Sequence, residues 1–220
     1  MKIKTRELFD CNVPYLIHFF EESTYPWELL PRIGALARML TEKGIESFTE
    51  WKPGVLVGKD VRIATHVTID APTIIGARCE VRPGAYIRGN VITGEGCVLG
   101  NSCEYKNCIL LDHVQTPHYN YVGDSVLGNR AHLGAGSVCS NLKSDGRTVV
   151  IHADEEIQTG LRKVGSFLGD GADVGSGCVL NPGTILGRNT SVYPLTALRG
   201  TYGNDLIVKA SNCAVPRQER

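Results

Sequence analysis

An excess of charge of either sign is missing from this 220-residue chain, in which 23 lysines and arginines offset 23 aspartates and glutamates. Without net positive charge or a run of basic residues it lacks the electrostatic footprint of a nucleic-acid binder. No basic amphipathic stretch points to a membrane surface. No segment approaches the roughly 18 consecutive apolar residues of a membrane span. The opening MKIKTRELFDCNVPYLIHFF holds only a short apolar run, broken or bounded by Glu7, Asp10, Glu21 and Glu22. It does not read as a signal peptide, and a soluble cytoplasmic protein is expected. The eight cysteines include no CxxC pair, which argues against a structural zinc site, and no metal is expected. Aromatic residues are scarce at 7%, whereas there are 25 glycines. That balance suits a repetitive β architecture with many tight corners.

What is present is a period of six. Val57, Ile63, Ile69, Ile75, Val81, Ile87, Thr93, Leu99, Tyr105 and Leu111 follow at that spacing, and all but Thr93 are large and apolar. Four places after these come Val61, Val67, Thr73, Cys79, Ala85, Val91, Cys97, Cys103 and Ile109, all uncharged and small or β-branched. A second tract repeats the pattern with Leu168, Val174, Leu180, Leu186 and Val192, followed by Ala172, Cys178, Thr184, Thr190 and Thr196. Six is neither the helical period nor simple alternation. It suits short strands broken by regular corners, with a large aliphatic pointing inward and a small residue beside the bend. The fold class expected is all-β: a left-handed parallel β-helix whose coils stack into one apolar column. Cys79, Cys97, Cys103 and Cys178 then read as packing residues, since a free cysteine behaves as a small hydrophobe.

The rest divides around that solenoid. Residues 1–52 lack the repeat and carry Leu29, Ile33, Leu36 and Leu40 at helical spacing. Thr24 suits the cap, Pro26 the first turn and Gly44 the end of a helix. This N-terminal helical segment is expected to cover the open end of the solenoid or a neighbouring subunit, because a bare column invites aggregation. The solenoid is expected over residues 53–200, interrupted by a polar loop or hairpin near 142–163 on the binding face. Residues 201–220 read as a tail.

Several off-repeat residues carry a resemblance. RPGA at 82–85, LGNSCEYK at 99–106, HYNYVGDSVLG at 118–128, HLGAGSVCSNL at 132–142 and LRKVGSFLGDGADVGSGCVLNPGTILG at 161–187 resemble the acetyltransferase half of the bifunctional glucosamine-1-phosphate acetyltransferase and N-acetylglucosamine-1-phosphate uridylyltransferase. They also resemble the β-helix tail of archaeal-type sugar-1-phosphate nucleotidylyltransferases. The resemblance spans roughly residues 50–200 and implies N-acetyl transfer from acetyl-CoA to an amino-sugar phosphate in a homotrimer.

In such enzymes a histidine removes the proton from the sugar amine, a task suited to a group titrating near neutrality. His118 takes that place; read without the resemblance, it is equally a corner residue after Pro117. Arg82, Lys106 and Tyr121 correspond to residues that hold the sugar phosphate, and Arg147 matches a cationic loop position. Asn141 corresponds to the residue orienting the amine or acetyl group. The Ala135 N–H is placed to donate to the thioester oxygen, and Ser176 matches an acetyl-CoA contact. Two positions depart. His132 stands where the bacterial enzyme has a sugar-contacting asparagine, and Val150 where the archaeal type has a second lysine.

No nucleotidyltransferase signature precedes the solenoid, and that activity is not expected; GVLVGKD at 54–60 is one residue short of a phosphate-binding loop and ends in Asp60. Two other readings stay open. One is a non-catalytic trimeric scaffold partnered with a separate nucleotidyltransferase. The other is a zinc enzyme of the γ-carbonic-anhydrase kind using His113 and His118, for which the third histidine expected near Ala77 is absent.

Overall fold

In a computed structural model that describes residues 3–210 and 213–217, the chain forms a left-handed parallel β-helix of triangular section. Each coil contributes one short strand to each of three sheets. The first face runs from Val55–Val57 to Thr201–Tyr202, the second from Arg62–Ile63 to Leu206–Ala210, and the third from Thr68–Ile69 to Ala197–Leu198. Residues directly stacked in successive coils are the register partners of these sheets, such as Gln115 with Val98 and His132.

The hexapeptide pattern explains the column inside. Val57, Ile75, Val81, Ile87, Leu99 and Tyr105 pack in one cluster with Cys79, Cys97, Cys103 and Cys178. These thiols sit beside the corners and bond to backbone there, as when Cys97 Sγ donates to the Leu111 carbonyl at 3.0 Å. The frame slips after Tyr105, however. Cys108 and Leu110 point inward, while Ile109 and Leu111 join an outer cluster. The cause is a corner one residue tighter at Asn107, held in the left-handed region at φ 48°. Before that corner Tyr105 pairs with Ile87, a full coil of 18 residues back, whereas after it Cys108 pairs with Val91, only 17 back.

Burial makes the thiols inert. Cys79, Cys97, Cys103, Cys108, Cys139 and Cys178 are buried and free, and Cys213 is exposed. Desolvation pushes the half-buried Cys11 up to about 12, and burial raises Cys97 far above an ordinary thiol. A thiol reagent at about pH 8 is therefore expected to label Cys213 at once, Cys11 slowly and the buried six only on unfolding. Rapid labelling of Cys97 or Cys139 in the native protein would contradict this packing.

The N-terminal segment does not cap an open end. It lies along the outside of the first face, where Leu8, Leu16, Trp27, Leu29 and Ile33 bury Leu56, Ile74, Ile92, Ile109, Val126, Phe167 and Ile185. From Leu56 to Ile185 the outward residue of every coil on this face is apolar, so this is the face that must be covered. The segment comprises α1 (Thr5–Leu8), α2 (Ile17–Glu21), two 3-10 turns (Pro26–Glu28 and Leu30–Arg32) and α3 (Ile33–Lys43). The long helix begins at Ile33 rather than after Thr24, because Pro31 lacks an N–H and restrains Leu30. Glu28 supplies the local cap, its carboxylate accepting from the Thr24 and Tyr25 N–H groups. Arg188 ties the segment to the solenoid by pairing with Asp10 and donating to the Glu7 carbonyl. Two sheet edges are covered by antiparallel strands, Thr49–Lys52 on Val55–Val57 and Cys213–Pro216 on Leu206–Ala210.

The solenoid also runs past residue 200, through Thr201–Tyr202 and Leu206–Ala210. The interruption at 142–163 leaves and re-enters at a bridge between Leu142 and Lys163. It carries a hairpin of Val150–His152 and Glu156–Gln158, whose Val149 and Ile151 are buried in the outer cluster.

Candidate active site

Most of the residues singled out in the sequence lie on or beside the third face. At the second-to-third corner, successive coils stack Pro83, Asn101, His118, Ala135 and Ser176. The chain of corner bonds shows it: Tyr119 N–H donates to the Asn101 carbonyl, Gly136 to His118 and Gly177 to Ala135. His118 is exposed, and its ring makes no hydrogen bond among the described residues. The Ala135 N–H is likewise without a protein acceptor among them. Arg82 lies at this same corner, two coils before His118, roughly 10 Å along the prism. Its guanidinium pairs with Glu80 at 3.1 Å.

The third-to-first corner holds Lys106 and Asn141, and the Tyr121 hydroxyl reaches it from the strand between. A ladder of short polar side chains builds it. Asn107, Asp124 and Asn141 recur at intervals of 17 residues, one tight coil each. Asp124 is the hub, with its side chain only 6% exposed. It accepts from Asn107 Nδ2 at 2.9 Å, Asn141 Nδ2 at 2.6 Å and Lys106 Nζ at 3.2 Å. Such convergence is what a buried carboxylate requires. Asn141 Nδ2 also donates to the Tyr121 hydroxyl at 3.1 Å. Burial, and secondarily the Asp124 carboxylate, push the Tyr121 phenol upward. The packing leaves no room for a side chain at position 123, where a methyl group would collide with the Tyr121 hydroxyl and the Asn141 amide.

Comparison with known proteins agrees with this architecture. Residues 69–186 match the family described as "GMPPB C-terminal domain". The chain belongs to that family. Among curated proteins, the bifunctional protein GlmU of Methanococcus maripaludis is 34% identical over 110 residues, covering 50% of this chain and 27% of that protein. A bifunctional sugar-1-phosphate nucleotidylyltransferase/acetyltransferase of Sulfurisphaera tokodaii is 31% identical over 151 residues, covering 68% of this chain and 38% of that one. The chain thus spans about a third of the length of these relatives. Among solved structures, the N-acyltransferase AntD of Bacillus cereus, in complex with dTDP and coenzyme A, is 14% identical with a TM-score of 0.47, covering 80% of this chain and 93% of that one.

In this GMPPB C-terminal-domain chain the other candidate residues lie apart from the cluster. His132 is on the second face, its Nδ1 2.7 Å from Asp173 one coil on, and that histidine holds the Asp173 carboxyl below its usual range. Arg147 is on the exposed insertion, with its backbone N–H on Asp145 at 3.0 Å. His113 is at the first-to-second corner, 3.8 Å from Glu95, and so away from His118. Conversely, Arg88 is the cation stacked on Lys106, since Tyr86 pairs with Glu104 and Ile87 with Tyr105. It bonds Glu104 at 2.7 Å, which raises its pKa further. The signal was in the spacing. Arg88 precedes Lys106 by 18 residues, a whole coil, whereas Arg82 precedes it by 24, which rotates it to the next corner. The 17-residue interval linking Asn107, Asp124 and Asn141 is a second signal of the same kind.

Proposed function

We propose that this chain is an acetyl-CoA-dependent N-acetyltransferase for an amino-sugar phosphate such as glucosamine-1-phosphate, working as a homotrimer. The observation that carries it is the division of the candidate residues between opposite edges of one uncovered face. His118, Ala135 and Ser176 stand on one edge and Lys106 and Asn141 on the other, with Tyr121 at the start of the strand between them, its hydroxyl reaching Asn141. Three prisms turning their third faces to a common axis bring one edge of each against the other edge of its neighbour. The first face is already occupied by the N-terminal segment, and the third displays exposed Tyr86 and Val179.

In that arrangement the sugar amine, freed of its proton by the His118 imidazole, attacks the thioester carbonyl carbon. The developing oxyanion accepts a hydrogen bond from the Ala135 N–H. The nitrogen releases its second proton to solvent as the C–S bond breaks and the amide forms, and the thiolate leaves as coenzyme A after taking up the proton held by His118. Ser176, next along the same column, lies where the pantetheine arm would run. Transfer is direct, with no acyl-enzyme. Lys106, Arg88 and Tyr121 face the phosphate, and Asn141 orients the amine. The test is thiol release from acetyl-CoA with a panel of amino-sugar phosphates, together with the solution mass. Release that requires both substrates in a trimeric protein is expected. A monomer, or a trimer that consumes no acetyl-CoA with any member of the panel, would sink the reading.

A further inference from the structure

Leu195 departs from what its place in the fold demands in two ways. Its side chain is 85% exposed, more than any other large apolar side chain among the described residues. Its backbone lies in the left-handed region at φ 59°, a conformation that penalises a branched side chain. The corner does not call for a leucine. Gly84, Gly136 and Gly177 take the same second-to-third corner in other coils without that penalty. Leu195 also belongs to neither apolar cluster of the protein. A strained and solvent-exposed leucine that packs on nothing in its own chain points to a contact made outside it.

We propose that Leu195 is a binding residue for the acyl donor, packing against the branched apolar carbon of the pantetheine arm. The inference rests on the acyl-transfer reading and adds to it the residue that holds the far part of that arm.

The column carries the argument. The Leu195 N–H donates to the Ser176 carbonyl at 2.9 Å, as Gly177 does to Ala135 and Gly136 to His118. Leu195 therefore stands two coils beyond Ala135, about 10 Å along the prism. The N–H groups of Ala135 and Ser176 have no acceptor among the described residues. The next coil instead brings Pro194, which has no N–H, and then Leu195. Along this edge the order is donor, donor, apolar. Pantetheine runs in a matching order from its sulfur, with the thioester carbonyl first, then amides, then a carbon bearing two methyl groups. With about 1.2 Å gained per bond in an extended chain, the first amide carbonyl, four bonds from the sulfur, falls at about 5 Å and the dimethyl carbon, ten bonds out, at about 12 Å. The first is level with Ser176 and the second with Leu195.

The leucine is aimed accordingly. A methyl group at position 177 would meet Leu195 Cδ2 at 2.8 Å. The side chain thus leans back over the Gly177 corner toward Ser176, along the column rather than off the end of the prism. At Gly136 a methyl group would meet nothing within 4 Å, so the track between Leu195 and His118 is open.

Titration calorimetry on the full chain tests this with two ligands, coenzyme A and adenosine 3′,5′-bisphosphate, which has the nucleotide but no pantetheine arm. Wild type is compared with Leu195→Gly and Leu195→Asn. Both replacements suit a left-handed corner, so each variant should melt at or above the wild-type temperature, and a defect in one leaves the other to decide. The expected result is coenzyme A bound about tenfold more weakly by both variants, the scale for losing one apolar side-chain contact, with affinity for the bisphosphate unaltered. Unchanged coenzyme A affinity overturns the proposal. An equal loss for both ligands also overturns it, because Leu195 would then serve the nucleotide. So does a fall in solution mass, which would make Leu195 a contact between copies of the chain. The two readings fail separately. Acetyl transfer with coenzyme A affinity indifferent to Leu195 keeps the enzyme and removes the contact. Leu195-dependent binding of coenzyme A by a protein that transfers no acetyl group keeps the contact and removes the enzyme.

Discussion

Replacing His118 by alanine is expected to lower turnover by about 100-fold or more, the usual scale for loss of a general base. The amine is an ammonium near neutral pH and cannot attack until a group of suitable basicity takes its proton. His118 is exposed at a corner, and its ring bonds to no described protein group, so its removal should leave stability and acetyl-CoA binding unchanged. The loss should fall on kcat and shrink at high pH, where the amine is free without assistance. A structural role would produce neither pattern. Complementation gives a sharper test of the divided site. Mixed after dissociation, His118→Ala and Lys106→Ala chains should regain activity, since random assortment about a threefold axis rebuilds about a quarter of the sites. No recovery in verified mixed trimers would show that both residues serve one chain, or neither serves the reaction.

Removal of the Asp124 carboxylate should be the most damaging single change at the other edge. Asp124→Ala strands the Lys106 ammonium and the amides of Asn107 and Asn141, all of which now converge on it. Severing a buried ion pair costs about 3–5 kcal/mol, and the lower end applies because Lys106 keeps a quarter of its surface in water. For a domain of this size that corresponds to a melting temperature lower by roughly 10 °C. Because Lys106 and Asn141 lose their anchor, KM for the acceptor should rise while that for acetyl-CoA holds. Asp124→Asn keeps one acceptor oxygen and should recover part of the stability. If thermal melting of Asp124→Ala matches wild type, the ladder is not what holds this corner.

The ladder also shows what could and could not be foreseen. The inward column was legible because the selection is local. Every sixth residue must fill the same space, and Val57 to Tyr105 obey that demand without reference to distant chain. The frame failed at Leu111, where one corner residue fewer at Asn107 turned Leu110 inward instead. The N-terminal helix was visible as a pattern, but its docking place was not, because an apolar stripe says only that something must cover it. The outward residues Ile74, Ile92 and Ile109 decide that it lies on the first face.

The sequence by itself determined the solenoid, its packing cysteines, the interruption at 142–163 and a set of chemically apt residues. Only the tertiary structure decided which of those residues are neighbours. In a triangular coil, the edge a side chain occupies depends on the running count of residues around every corner. One tight turn or a change of six positions moves a group to another edge. That is why Arg88 rather than Arg82 stands beside Lys106, and why His118 stacks at a different corner from Lys106 and Asn141.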